Sequence, residues 1–372
     1  MKFICEKTLL QNACLIASRA VPSKSPISSL EGLLIKAEGG MLRITGYDLK
    51  KGIYSDIEAD IIEEGIVVVN AKFFVEMIRR IPDGLIAFTS TDDNCIHVKC
   101  GKSEYDFVGL DVKEYPEIPS FEGMSSISVP ENILKNMIGK TIFAVSKEDA
   151  RPIYTGSLFE ISENELTVVS VDGYRLARRC EKIENSQLES CSFVVPGFAL
   201  SDIEKICSQD SKDDVIIQLG DKHISFTIGS SVVISRRLEG DFLNHRKSVP
   251  ESFKYQIKIN RQELLQVIER VALVLGEKNS NPIKLYFNNG VINCTCITPV
   301  GRAEDICTCS GNGEGLVIGF NDRYLTDALK AAEKDELLIC LSTSSSPCVI
   351  KAQDGSESFT YMILPVRLHT EK

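Results

Sequence analysis

The 372-residue sequence contains no tryptophan and only four histidines, and it carries no excess of positive charge. The histidines (His97, His223, His245 and His369) are far apart, and no two of them form the H-x-x-x-H spacing of a helical metal site. No G-x-x-x-x-G-K-[ST] phosphate loop is present. The formal net charge is −10, which argues against tight gripping of a phosphate backbone, since that needs clustered Lys and Arg. No apolar run reaches the roughly 18 residues that span a bilayer. The first residues, Met1 to Glu6, lack the apolar core and small-residue cleavage site of a signal peptide, so a soluble, cytoplasmic protein is expected. Apolar residues make up 43% and charged residues 25%, enough for packed cores in two or three domains.

Cysteine is plentiful. The 13 thiols are an odd number and are scattered from Cys5 to Cys348, as expected of reduced thiols used as small hydrophobes. One group invites a metal reading: Cys294, Cys296, Cys307 and Cys309 form two C-x-C pairs on β-rich runs. Paired strands could gather their sulfurs. A buried sheet face that uses Cys is the simpler expectation, because structural zinc sites favour C-x2-C.

The sequence repeats itself three times. Amphipathic helical patterns follow short alternating runs at Lys2–Ile4, Ser126–Val129 and Tyr255–Ile259. A second helical pattern opens at Asn70, Pro196 and Asn321, residues suited to helix entry, and an acidic turn with a β-rich run follows each. Period-two alternation fills the remainder, as in Met41–Thr45, Leu166–Ser170 and Val291–Thr298. Each unit therefore reads as two helices and about eight strands in an α+β layer arrangement. Turn-rich joints near 115–123 and 249–251 divide the chain into domains 1–121, 122–250 and 251–372. Three copies in tandem suggest a curved array, which a second chain could close head to tail by joining first repeat to third.

Several segments resemble the bacterial sliding clamps, the beta subunits of DNA polymerase III. They are Ser170-Val-Asp-Gly-Tyr-Arg-Leu-Ala177, Arg151-Pro152 with Tyr154-Thr-Gly156, Leu238-Glu-Gly-Asp-Phe242 and Tyr361-Met-Ile-Leu-Pro-Val-Arg-Leu368. The resemblance covers the whole chain. It implies three tandem clamp domains and a homodimeric six-domain ring threaded by double-stranded DNA. It implies no catalysis and no cofactor, but partners in a clamp loader, the replicative polymerase and repair proteins.

The resemblance also assigns residues. A partner-peptide cleft would use Tyr154, Val171, Gly173, Tyr174, Arg175, Leu176, Leu243, Lys247, Asn321, Tyr324, Met362, Ile363, Leu364, Pro365, Val366, Arg367 and Leu368. In that reading Leu176, Met362, Leu364 and Val366 form an apolar pocket, and Arg175 meets a polar or acidic group of the partner. Lys24, Arg79, Arg80, Lys147 and Arg151 would face DNA. The dimer contact would set Lys72, Lys102, Tyr105 and Phe107 against Leu273, Val274, Glu304 and Asp305. Leu243, Lys247 and Val171 depart from the usual family residues, and a tail at 369–372 extends past the usual end.

Two rival classes compete with this reading. An enzyme would need a cluster of titratable groups. The glycine-rich stretch Gly311–Gly315 and the loop Thr343–Ser346 read instead as turns, and Asp172 as a structural acid in a turn. A peptide-binding scaffold without DNA would share the tripartite body and differ only in ring topology and loading.

Overall fold

A computed structural model describes residues 1–119, 126–148, 150–162, 164–183, 190–276, 281–356 and 358–368. In the first repeat, β1 (Lys2–Glu6) and α1 (Lys7–Ala17) precede β2 (Gly32–Glu38), β3 (Met41–Tyr47), β4 (Lys51–Glu58), β5 (Asp60–Glu63) and β6 (Gly65–Asn70). Then come α2 (Ala71–Arg80), β7 (Leu85–Ser90), β8 (Cys95–Cys100) and β9 (Ser103–Val108). The second repeat runs β10 (Ser126–Pro130), α3 (Glu131–Gly139), β11 (Gly156–Ser162), β12 (Glu165–Val171), β13 (Arg175–Lys182), β14 (Cys191–Pro196). It continues with α4 (Gly197–Ile206), β15 (Asp214–Leu219), β16 (His223–Ile228), β17 (Ser231–Arg236) and the one-turn α5 (His245–Ser248). The third runs β18 (Tyr255–Asn260), α6 (Arg261–Val271), β19 (Ile283–Asn288), β20 (Val291–Thr298), β21 (Gly301–Gly311), β22 (Val317–Phe320). It ends with α7 (Asp322–Ala331), β23 (Glu336–Leu341), β24 (Cys348–Ala352) and β25 (Phe359–Ile363).

The expected unit of two helices and eight strands is present in the third repeat and, with the one-turn α5 added, in the second. The first gains a ninth strand, β5, which pairs with β1 along the edge of its sheet. The helix entries are those the sequence suggested. Asn70 accepts from the Phe73 amide at 3.0 Å, Asn260 from Glu263 at 3.0 Å, and Asn321 from Arg323 and Tyr324 at 3.0 and 3.2 Å. Each such cap satisfies amides that the first helical turn leaves unpaired and is worth about 1 kcal/mol.

Within each repeat the strands form two sets of four, to the first of which β5 is added in the first repeat. One holds the first strand and the three after the second helix; the other holds the strands between the helices. Across one repeat boundary two sets join into an eight-stranded sheet, β10-β15-β16-β17-β4-β3-β2-β6; across the other two more join, and β18–β21 pairing adds the third repeat's remaining set to give a twelve-stranded sheet, β14-β11-β12-β13-β25-β24-β23-β18-β21-β20-β19-β22. A five-stranded sheet, β5-β1-β7-β8-β9, completes the first repeat. The chain accordingly has two compact units, Met1–Lys135 with Phe198–Arg237 and Asn136–Gly197 with Leu238–Lys372. Units and repeats divide the chain differently for a physical reason. The middle repeat commits one strand set to the first repeat's sheet through β17–β4 and the other to the third repeat's sheet through β13–β25.

In the first unit, the Phe3 and Phe88 rings stack at 4.8 Å beneath Leu10, Phe74 and Ile78, which α1 and α2 contribute. In the second unit, α6 and α7 lay Leu264, Ile268, Leu325 and Leu329 on a sheet face built from Ile257, Leu285, Phe287 and Ile339. Among the described residues, no helix is long and apolar enough to cross a membrane.

Candidate functional site

Two segments of the expected apolar pocket meet at the β13–β25 pairing, where Leu176 lies opposite Met362 and Arg175 opposite Ile363. Leu176 and Met362 join Leu158, Val169, Val194 and Val349 in one buried cluster, and Ile153, Phe242, Leu243 and Val249 pack against it half-buried. Three predicted cleft residues from distant parts of the sequence (Leu176, Leu243 and Met362) therefore share one apolar surface. Beyond β25 the chain stays extended. The Leu364 amide donates to Tyr174 O and the Val366 amide to Gly319 O, both at 2.8 Å. Leu364 is exposed while Val366 is half-buried. Leu368 packs so tightly on Gly319 that a Cβ there would sit 2.7 Å from its Cδ2.

The turn before β13 follows from local chemistry. Asp172 Oδ1 accepts from the Tyr174 and Arg175 amides at 2.9 and 3.0 Å, and Gly173 adopts φ +92, a conformation glycine reaches without strain. Asp172 is thus the structural acid the sequence suggested. The turn holds Tyr174 out, 63% exposed, with its ring stacked 6.4 Å from that of Tyr324. Tyr154 meets Phe242 edge-to-face at 5.5 Å. Lys247 is exposed on α5, which Asn244 caps. The next-door His245 is buried against Glu160, with Nε2 2.9 Å from the carboxylate, and burial lowers its pKa.

Arg175 differs from its expected role. Its Nε donates to Asp172 at 2.9 Å and its Nη1 to Asp327 at 2.6 Å, and Nη2 reaches Phe143 O. The guanidinium lies 4.5 Å from the Tyr324 ring centroid. Three of its five donors are spent inside the protein, so Arg175 braces the wall under Tyr174 and Tyr324. Asn321 spends its side-chain oxygen on the α7 cap. Val171 and Ile363 are buried and support the cleft from the core side. Asp327 and Phe143, which position Arg175, were not singled out from the sequence; they lie far from it along the chain, and no local pattern marks them.

Among the residues expected at DNA, Lys24, Lys147 and Arg151 are exposed. Arg151 sits 5.8 Å from the Tyr154 ring. Arg79 and Arg80 both bond Glu76 on their own helix, at 2.7 and 2.5 Å, and these bonds hold the Glu76 carboxyl down at about 2. The three side chains together still carry one net positive charge.

The residues expected at the dimer contact flank two open strand edges. β9 ends the five-stranded sheet, with Lys102 and Tyr105 exposed and the Phe107 ring 5.1 Å edge-on to Phe73 of α2, which also carries exposed Lys72. In β21, residues 301–308 pair with β20 on one side, and β18 covers the other side only at Cys309–Gly311. Leu273 stands 82% exposed nearby on the chain, beside half-buried Val274. The two acids at this edge already have partners within the chain. Asp305 already bonds Arg270 at 2.6 Å, which lowers its pKa, and Glu304 bonds Arg302 at 2.6 Å.

The four-thiol group does not converge. β20–β21 register sets Cys307 opposite Ile292, Cys294 opposite Asp305 and Cys296 opposite Ala303. Cys294, Cys296 and Cys307 are packed in the third repeat's core, and burial pushes the Cys294 and Cys307 thiols up to about 12. Packed there, these thiols act as small hydrophobes. The tail 369–372 and part of the joint at 115–123 lie outside the described residues.

Comparison with known proteins bears on the whole chain. Residues 1–119, 128–244 and 246–367 match the N-terminal, central and C-terminal domains of the DNA polymerase III beta subunit. The beta sliding clamp of Bacillus subtilis is 31% identical, covering 99% of this chain and all of that one; that of Staphylococcus epidermidis is 30% identical over the same shares. The crystal structure of the Bacillus subtilis sliding clamp superposes with a TM-score of 0.94 over 99% of this chain and all of that one, at 30% identity. The Thermotoga maritima beta subunit gives 0.90 at 26% identity, over 99% and 100%. The chain belongs to the DNA polymerase III beta subunit family, the bacterial sliding clamps.

Proposed function

We propose that this chain, a sliding clamp and so a non-catalytic processivity factor, closes as a two-chain ring around duplex DNA and tethers the replicative polymerase through the β13–β25 cleft. One observation carries the ring. Both internal junctions pair the last strand of one repeat's first set with the third strand of a neighbour's second set, antiparallel: β17 with β4 and β25 with β13. The same two positions at the ends of the tandem array are β9 and β21, and both have open edges there. Exposed edges invite pairing with another chain. Joining β9 of one chain to β21 of the next, twice, closes six domains with no such edge left over. The internal registers carry over to Ser103 against Asp305, Tyr105 against Ala303 and Phe107 against Gly301. Lys72 and Lys102 then approach Leu273, Val274 and Glu304, with Asp305 already half neutralised by Arg270.

The domains in this reading are 1–121, 122–250 and 251–372. Lys24, Arg79, Arg80, Lys147 and Arg151 give weak, sequence-independent contacts. Weakness is useful, since each added phosphate contact would raise affinity and slow sliding. A clamp loader and repair proteins use the same cleft through short extended peptides with an apolar anchor, and the ring works at the nucleoid.

Light scattering across a dilution series tests the ring. A mass near twice 41.2 kDa that persists supports it, and a persistent monomer overturns it. For the cleft, Leu243→Ala with Met362→Ala should abolish binding of a clamp-binding peptide at unchanged mass. Undiminished affinity would remove those residues from the site.

A further inference from the structure

The two internal junctions match residue for residue. Leu176 faces Met362 in one, and Gly52 faces Ile234 in the other. The same turn precedes both. Asp48 Oδ1 accepts from the Lys50 and Lys51 amides at 2.9 and 2.7 Å, as Asp172 does from Tyr174 and Arg175, and Leu49 stands at φ +70 where Gly173 stands at +92. Lys51 pairs with Asp202 of α4, as Arg175 pairs with Asp327 of α7.

The match extends to the cleft itself. Beside β17–β4 lies a cavity of about 460 Å³, within the usual range for ligand sites. Its floor uses Leu34, Thr45, Gln218 and Ser225, the counterparts of Leu158, Val169, Cys340 and Val349 beneath the first cleft. Three of those four positions have changed from apolar to hydrogen-bonding. Ser225 is 1% exposed and its Oγ donates to Gln218 Oε1 at 3.3 Å, which leaves the Gln218 NH2 with no partner among the described residues. The wall that Leu176 supplies in the first cleft is missing at Gly52, and Ile118 replaces it. The Ile118 Cγ2 and Cδ1 atoms lie 3.1 and 3.2 Å from where a Gly52 Cβ would stand.

We infer that the β17–β4 junction is a second peptide-binding cleft, which takes an extended segment anchored by a carboxamide or hydroxyl side chain. The inference rests on the peptide-cleft reading of β13–β25 for the class of ligand. Selectivity follows from the floor: a Leu or Phe anchor would bury the Gln218 amide and the Thr45 hydroxyl without partners, whereas a Gln or Ser anchor satisfies them.

Methyl-resolved NMR of the full chain separates the two clefts, with N-acetyl-glutamine methylamide and N-acetyl-leucine methylamide as probes. The glutamine probe should shift the Ile118 and Ile234 methyls saturably and leave Met362 in place, and the leucine probe should do the reverse. Gln218→Leu should weaken the glutamine probe about tenfold. Gln218→Met, close in volume, serves if that variant fails to fold. Binding of the glutamine probe at Ile118 without any leucine binding at Met362 would sink the β13–β25 reading and leave this site standing. A glutamine probe that leaves Ile118 and Ile234 unmoved, or moves Met362 equally, overturns the inference, as does full affinity in both Gln218 variants.

Discussion

The β17–β4 and β13–β25 junctions share a backbone plan and differ in what fills it. At β17–β4 the Ser55 and Ser231 hydroxyls bond each other at 2.7 Å, both buried, and the cation is Lys51, with Lys51 and Asp202 side chains only 11% and 10% exposed. At β13–β25 the paired residues are larger. Phe359 and Tyr361 stack at 5.2 Å, and Arg179, 2% exposed, reaches Glu181 and Glu333 at 2.9 and 3.1 Å. There the cation is Arg175, spread over Asp172, Asp327 and Phe143 O. One plan thus tolerates a polar or an aromatic filling, provided an acid on the following helix meets a base at the start of the paired strand. The side chains above the plan, not the plan itself, decide what each cleft can bind.

The largest effect is expected from breaking the β17–β4 clamp. Lys51→Met leaves Asp202 buried with only Arg19, at 3.9 Å, as a charged partner. Removing one member of a buried pair costs about 3–5 kcal/mol. Thermal unfolding should show a large drop, whereas Arg175→Met should cost less, because Asp327 is 38% exposed and can rehydrate and the half-buried Asp172 keeps the Tyr174 and residue-175 amides as donors. Equal losses would dissolve the contrast between the junctions. Next comes the open edge. The Gly109 amide bonds Asn94 O, so by antiparallel alternation the amides of Phe107, Tyr105 and Ser103 face β8 and that of Asp106 faces outward. Asp106→Pro therefore spares the β8–β9 ladder and blocks the outer edge. The lost ladder bond leaves a facing carbonyl unpaired at a cost of about 2 kcal/mol, so the dimer should weaken about thirtyfold with monomer melting little changed. An unaltered dimer mass would mean that β9 is not the paired edge.

Much of this was legible in the sequence because the information is periodic. Apolar spacing, helix-entry residues such as Asn70 and Asn321, and Gly or Asp turns recur in each repeat, and recurrence separates signal from chance. The cleft's apolar members were legible for a related reason: Leu176 and Met362 sit in strands whose alternation shows which face they take. The bracing of Arg175 was not legible because its partners Asp327 and Phe143 lie far away in sequence, and a cation's internal contacts are encoded by no local pattern. The same holds for Asp305, whose partner Arg270 comes from α6. The thiols show the opposite case. Their C-x-C spacing is real, but register sets them against Ile292, Asp305 and Ala303, and spacing within one strand does not fix pairing between strands.

The smallest predicted effect concerns what the third junction lacks. Asp202 and Asp327 occupy the same place in α4 and α7, and the corresponding residue of α2 is Glu76. The position matching Lys51 and Arg175 is Gly301, which has no charge to offer. Glu76 accordingly bonds Arg79 and Arg80 on its own helix. A junction between chains at these positions would lack the ion pair that both internal junctions carry. Gly301→Arg supplies the missing cation. Nothing lies within 4 Å of a Cβ at that position, and its φ is outside the left-handed region, so the substitution brings no strain of its own. Glu76 is exposed and already shared, so the gain is that of a surface pair, about 0.5 kcal/mol, or roughly a twofold slower subunit exchange. Glu76→Gln in the same background should cancel it. If Gly301→Arg instead speeds exchange, or Glu76→Gln leaves its gain intact, the third junction is not built on the plan of the other two.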